Sequence, residues 1–194
     1  WSLSAEAVPE ALPAVGLEPL LRRRLALQPS SARRHQALAA VIGRRFDLEL
    51  LCRADHEHVA VVEIAIELLI ERWLVRPFVR HWATHPRERD LVMWAHGARR
   101  GSFELAHPRL RDALYAELPA ERRRELHRFV AQAYTAAAGD GDDAAWAEQR
   151  GYHWLCGGLP EAARGPLEAA AANARRLGDE ATARSFERTV EEGC

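Results

Sequence analysis

Lysine is absent from these 194 residues, and all 27 basic side chains are arginine. A Gly-x-x-x-x-Gly-Lys phosphate loop needs an ammonium group to reach the terminal phosphates, so P-loop nucleotide hydrolysis lies outside this stretch. Methionine occurs once, at Met93, and the first residue is Trp1, which leads to the expectation of an excerpt from a longer protein. Cysteine occurs only at Cys52, Cys156 and Cys194. Three scattered thiols make neither a disulfide framework nor a Cys-x-x-Cys metal site, and a reducing, cytoplasmic setting is expected. The longest unbroken apolar run is the six residues Ala37 to Ile42. A membrane-spanning helix needs roughly 20, so neither a span nor a signal peptide is expected. Gly-x-Ser-x-Gly is missing, and so is His-Glu-x-x-His, because Trp82 follows His81. The pairs His81/His85 and His56/His58 have no carboxylate or thiol at a ligand spacing, so no metal and no catalytic residue is expected here.

What remains is 48% hydrophobic and 28% charged, ordinary globular material for one average domain and part of another. A net charge of −1 draws neither nucleic acid nor a membrane surface by itself. The charge is uneven, however. Residues 1–101 carry 15 arginines against 12 acids, and residues 102–194 carry 12 against 16. Alanine at roughly a fifth of the chain, with arginine replacing lysine throughout, fits codon usage in a GC-rich bacterial genome.

Periodicity organises the chain. Pro9 and Pro13 mark residues 1–16 as an irregular lead-in. Leu17, Leu20, Leu21 and Leu25 then recur at helical spacing around Arg22, Arg23 and Arg24. Ser30 or Ser31 is expected to cap a helix running through Val41 and ended by Gly43. A short helix is predicted from Phe46 to Ala54 with Asp47 as N-cap. A long one is predicted from His56 to Leu74, burying Val59, Val62, Ile66, Leu69, Ile70 and Trp73. Pro77 forbids an interior helix, and Arg76 to Trp82 suits a strand, as does Ser102 to Leu105. The loop between them, residues 83–101, is unusually long for a hairpin. A helix starts near Pro108, another near Pro119 with Leu126, Phe129, Val130, Ala133 and Tyr134 on one face. Gly139 to Asp143 breaks the chain, and helices follow at 144–155, 160–177 and 179–191.

The predicted fold is mainly α: a winged-helix domain over residues 17–118 with a small β-hairpin, then antiparallel α-solenoid helices over 119–194. Ala163, Leu167 and Ala170 carry the small-large-small pattern of a tetratricopeptide repeat. Gly158 and Gly178 are only 20 residues apart, short of that repeat's roughly 34, so the region is repeat-like.

A winged helix invites a nucleic-acid reading. The helix expected in the major groove carries Glu57, Glu63, Glu67 and Glu71 against Arg72 alone, and carboxylates repel phosphates. The hairpin region argues the other way. Residues 76–100 hold six arginines and two acids, with Trp82 and Trp94 interleaved. Arg87, Arg89, Arg99 and Arg100 are the candidate nucleic-acid contacts, and a solvated loop or a contact to an acidic protein face is the other reading.

The stretch Phe103-Glu-Leu-Ala-His-Pro-Arg-Leu-Arg-Asp-Ala-Leu-Tyr115, followed by Leu118-Pro-Ala-Glu-Arg-Arg-Arg-Glu-Leu-His127, closely resembles the end of the winged-helix domain in bacterial STAND regulatory ATPases. Leu20 to Leu27 and Arg33 to Phe46 are similar to the opening of that domain. In the wider family, which includes apoptotic and plant-resistance ATPases, a Met-His-Asp motif closes the winged helix, and its histidine touches the β-phosphate of ADP. The resemblance places His107 on that histidine, with Pro108 where the family has aspartate. It implies a non-catalytic segment in which ADP or ATP is bound mainly by an upstream ATPase domain in cis. It further implies an inducer or partner protein on the helical region, an oligomer on activation, and a role in transcriptional or kinase- or cyclase-linked regulation. A plain helical protein-interaction adaptor is the third reading.

Overall fold

The computed structural model describes Arg23, Leu25 and residues 27–78, 101–138 and 146–192. The lead-in, the loop at 83–100 and the break at Gly139 to Asp143 lie outside the described residues. So does most of the predicted helix at 17–25, of which Arg23 and Leu25 are helical and Leu25 is buried.

Helix α1 spans Ser30–Ile42. Neither serine caps it. The N-cap is Pro29, whose carbonyl accepts from the Arg33 amide at 3.0 Å, so the first turn closes one residue earlier than a serine cap requires. Gly43 ends it at φ 144°, where an L side chain is strained. Strand β1 spans Arg45–Asp47, so Phe46, expected to open a helix, lies in a strand instead. Tertiary pairing overrides local propensity here, because Phe46 stacks on Phe103 with ring centroids 6.0 Å apart. Helix α2 follows at Leu48–Asp55. Asp47 is its N-cap by position, but the carboxylate accepts from the Ser102 hydroxyl instead of a helix amide.

Helix α3 spans Val59–Glu71, shorter than the predicted 56–74, because His56 and Trp73 both turn left-handed at φ 56° and 58°. Val62, Ala65, Ile66 and Leu69 are buried, whereas Val59 and Ile70 are half-buried. Trp73, expected in the core, is 77% exposed. Its turn closes the helix through a Leu74 amide bond to the Leu69 carbonyl at 2.9 Å, and Leu74 takes the inward place.

Strands β2 (Val75–Pro77) and β3 (Ser102–Leu105) complete an antiparallel sheet of order β1-β3-β2. Arg45 and Arg76 both oppose Glu104, and Phe46 and Pro77 both oppose Phe103. Pro77 is tolerated because β2 is an edge strand. The strand expected to run on to Trp82 is described only to Phe78, whose amide bonds the Ser102 carbonyl at 2.8 Å.

Five helices follow: α4 (Pro108–Glu117), α5 (Ala120–Ala138), α6 (Ala147–Cys156), α7 (Pro160–Arg176) and α8 (Glu180–Glu192). Among the described residues the architecture is therefore mainly helical, eight helices with one small three-stranded antiparallel sheet. The main core joins α1–α4 and the sheet to Leu126, Val130, Ala133 and Tyr134 of α5. Full burial of a leucine such as Leu38, Leu51 or Leu105 stabilises by about 1.5–3 kcal/mol. Beyond α5 each helix packs on the next, α5 on α6, α6 on α7 and α7 on α8. The contact of α7 with α8 rests on small residues, with Ala171, Ala174 and Ala183 closing around Phe186.

Candidate functional site

The sheet delivers His107 to the start of α4. The Leu105 amide bonds the Arg44 carbonyl and the Ala106 amide bonds the Leu74 carbonyl, each at 3.0 Å, which fixes the chain on both sides of the central strand. His107 then turns extended at φ −141°, ψ 140° as the N-cap, with Pro108 at the first helical position, where its missing N–H costs nothing. Its Nδ1 accepts from the Arg109 amide at 3.1 Å. A ring nitrogen that accepts a backbone N–H carries no proton, so the neutral imidazole has its N–H at Nε2. The residue is exposed. This geometry presents one imidazole donor beside the positive end of a helix dipole, an arrangement that favours an anion.

Arg87, Arg89, Arg99 and Arg100 lie outside the described residues, as do Trp82, Trp94, His81 and His85. The His56/His58 pair is divided between two structural tasks. His58 caps α3 by accepting from the Ala60 amide at 3.3 Å, and His56 sits edge-on to Phe129 with centroids 5.8 Å apart. Among the described residues no three His, Cys, Asp or Glu side chains converge on a metal position.

Three buried polar clusters were not evident from spacing. Glu104, on the central strand, is 6% exposed and ion-paired to Arg76 at 2.6 Å, Arg45 at 3.5 Å and Arg44 at 3.9 Å. Burial raises its carboxyl, but the hydrogen bond and charge of Arg76, then Arg45 and Arg44, outweigh this and hold it below the ordinary carboxylate value. Arg45 also lies over the Phe78 ring at 4.0 Å. Asp55, buried at the end of α2, is held by Arg34 and by His35 Nε2 at 2.9 Å. Both partners come from α1, so this cluster ties α1 to α2.

The third cluster connects the sheet-bearing part to the later helices. Tyr115 Oη of α4 lies 2.8 Å from His127 Nε2 of α5, and His127 Nδ1 lies 2.8 Å from His153 Nδ1 of α6. The chain of bonds works with one proton between the imidazoles in either direction, because Tyr115 both donates and accepts. Burial, with the Arg111 and Arg123 charges after it, pushes His127 down to about 4. Burial, then His127 and Arg111, pushes His153 down to about 3. Tyr134 stacks on His153 with centroids 5.7 Å apart and Trp146 leans on Tyr134 at 5.5 Å. A sequence signal for it exists: His127, Ala131 and Tyr134 share one helical face at i, i+4, i+7, beside the apolar one.

A cleft of about 780 Å³ opens between β1, α2 and the far end of α5, lined by Arg45, Asp47, Glu49, Arg53, Phe78, Tyr134 and Trp146 among others. Its two cations and two acids balance, so it selects no ligand charge, and His107 is not part of its wall. No protein-family profile, curated protein or solved structure matches the chain.

Proposed function

We propose that the chain is the non-catalytic regulatory segment of a STAND-type signal-transduction ATPase, a winged-helix domain followed by the start of a tetratricopeptide-like array. The order helix, strand, two helices, two strands, with β3 between β1 and β2, is the order expected of a winged helix and supports this reading. The observation that carries it is the placement of His107: its Nδ1 is committed to the Arg109 amide, which leaves an exposed Nε2–H donor at a helix start, suited to a phosphate oxygen. In this reading the nucleotide is held by the upstream domain, and His107 contributes one charge-assisted bond to the ADP β-phosphate. The segment then favours the ADP-bound resting state by the difference between its contacts with ADP and with ATP. The helices α6 to α8 receive an inducer or partner protein, and the output is transcriptional or kinase- or cyclase-linked regulation.

Two substitutions in the complete protein test the role and separate it from helix capping. His107→Asp keeps a strong N-cap and sets a carboxylate against the phosphate, whereas His107→Ala removes both cap and donor. Both variants are expected to lose ADP retention and raise basal output, while only His107→Ala lowers the unfolding midpoint. Normal ADP occupancy in His107→Asp would refute the phosphate contact.

A further inference from the structure

The outward surface of α3 carries two parallel ridges. Val61, Ile64 and Leu68 stand at i, i+3, i+7, and Glu63, Glu67 and Glu71 at i, i+4, i+8, so a row of carboxylates runs beside a row of aliphatic side chains. Val61 is 45% exposed and Ile64 68%, with Leu68 half-buried at the far end of the row. Like charges at i, i+4 destabilise a helix unless something neutralises them. Elsewhere arginine does so, as in the Arg53–Glu49 pair of α2 and the Arg122–Glu125 pair of α5. Among the described residues Glu63, Glu67 and Glu71 have no ion-pair partner. The surface thus joins two kinds of unmet demand, β-branched side chains left in water and carboxylates left without a cation. A phosphate backbone satisfies neither.

We propose that this face of α3 docks an amphipathic helix of a partner protein, one with apolar residues at i, i+3, i+7 and a ridge of Lys or Arg along one side. The complementarity is specific in sign and in spacing. An aliphatic row on the partner removes Val61 and Ile64 from water, and its cations lie over Glu67 and Glu71 at the rim, where they steer and orient the encounter. His107 takes no part, so the docking surface stands or falls independently of the nucleotide contact.

The test uses the full chain and three labelled synthetic helices of equal length, followed by fluorescence anisotropy. One has a leucine row with an arginine ridge, one a leucine row with a glutamate ridge, and one a serine row with an arginine ridge. The first is expected to bind at least about tenfold more tightly than either of the others. Ile64→Ser, or Val61→Ser should that variant fail to fold, is expected to weaken it about tenfold. Glu67→Gln/Glu71→Gln is expected to weaken it several-fold and to flatten its salt dependence. Equal binding of the leucine and serine helices, or indifference of the first helix to both serine variants, overturns the proposal. So does self-association of the chain that Ile64→Ser abolishes, which assigns the face to a second copy, or retention of duplex DNA that the same substitution abolishes.

Discussion

The buried imidazole pair makes stability depend on pH in a calculable way. In the unfolded chain His127 and His153 titrate near 6.5, but in the fold they are held down to about 4 and about 3. As pH falls below 6.5 the unfolded state takes up protons that the native state refuses, so stability is full above 6.5 and is lost toward acid. At pH 5 each imidazole is almost fully protonated when unfolded and almost neutral when folded. The difference is about 1.5 pH units of proton affinity, or about 2 kcal/mol for each ring and about 4 kcal/mol for the two. That is a large part of the roughly 5–15 kcal/mol by which a domain is stable. Urea unfolding at pH 7.5, 6.5, 5.5 and 5.0 measures the loss, and a His127→Gln/His153→Gln variant isolates the share due to the pair. Imidazole NMR shifts of the native wild type give the two midpoints directly and do not depend on the variant folding. Native His127 and His153 signals that move together near pH 6.5, or a double variant with the wild-type pH slope, would refute the reasoning. The sign is opposite to that of a surface histidine beside a carboxylate, because burial disfavours the imidazolium and the nearby charges, the guanidinium groups of Arg111 and Arg123, add to this.

Other perturbations have equally definite outcomes. Gly151→Ala puts a Cβ 2.6 Å from the Leu167 Cγ and Cδ2, an overpacking cost of about 1–3 kcal/mol that exceeds alanine's helix-propensity gain of up to about 1 kcal/mol, so the urea midpoint should fall; a rise would show that α6 and α7 are not in this contact. Glu104→Gln should cost about 1–2 kcal/mol at pH 7, since the Arg76 pair loses its charge. Glu104 titrates below 4.5 in the fold, so its contribution is present above that value and fades as the carboxyl protonates; the gap between variant and wild type should therefore close toward acid, and a gap independent of pH would count against the pairing. Trp73→Gly should raise stability by about 1 kcal/mol in thermal or urea unfolding, because the left-handed turn at φ 58° suits glycine and the 77% exposed indole contributes little packing; a lower midpoint would mean that the indole is held.

Periodicity alone was enough for the elements whose burial is local. The helices after Pro108 and Pro160, and the stop at Gly43, follow from proline at a first helical turn and glycine past a last one. The aliphatic face of α5 and the strand Ser102–Leu105 are read the same way. His107 was singled out through the resemblance alone, and what the structure adds is its short-range cap, the Arg109 amide donating to Nδ1. The acidic character of α3 was legible too, as charge at fixed spacing.

Only the tertiary structure decided the rest. Strand β1 has no strand-like run of its own, and exists because β3 presents Phe103 and Glu104 to Phe46 and Arg45. Trp73 is outside because the chain turns left-handed there and Leu74 fills the inward place, a choice that pattern cannot separate from the reverse. The Tyr115–His127–His153 chain joins three helices, and Asp55 with His35 joins two; each polar side chain is acceptable in the interior only because its partner arrives from another element. Local sequence sets which residues can form helices and where they stop. Which buried polar groups meet, and therefore what the interior does with a proton, is set by packing between segments far apart in the chain.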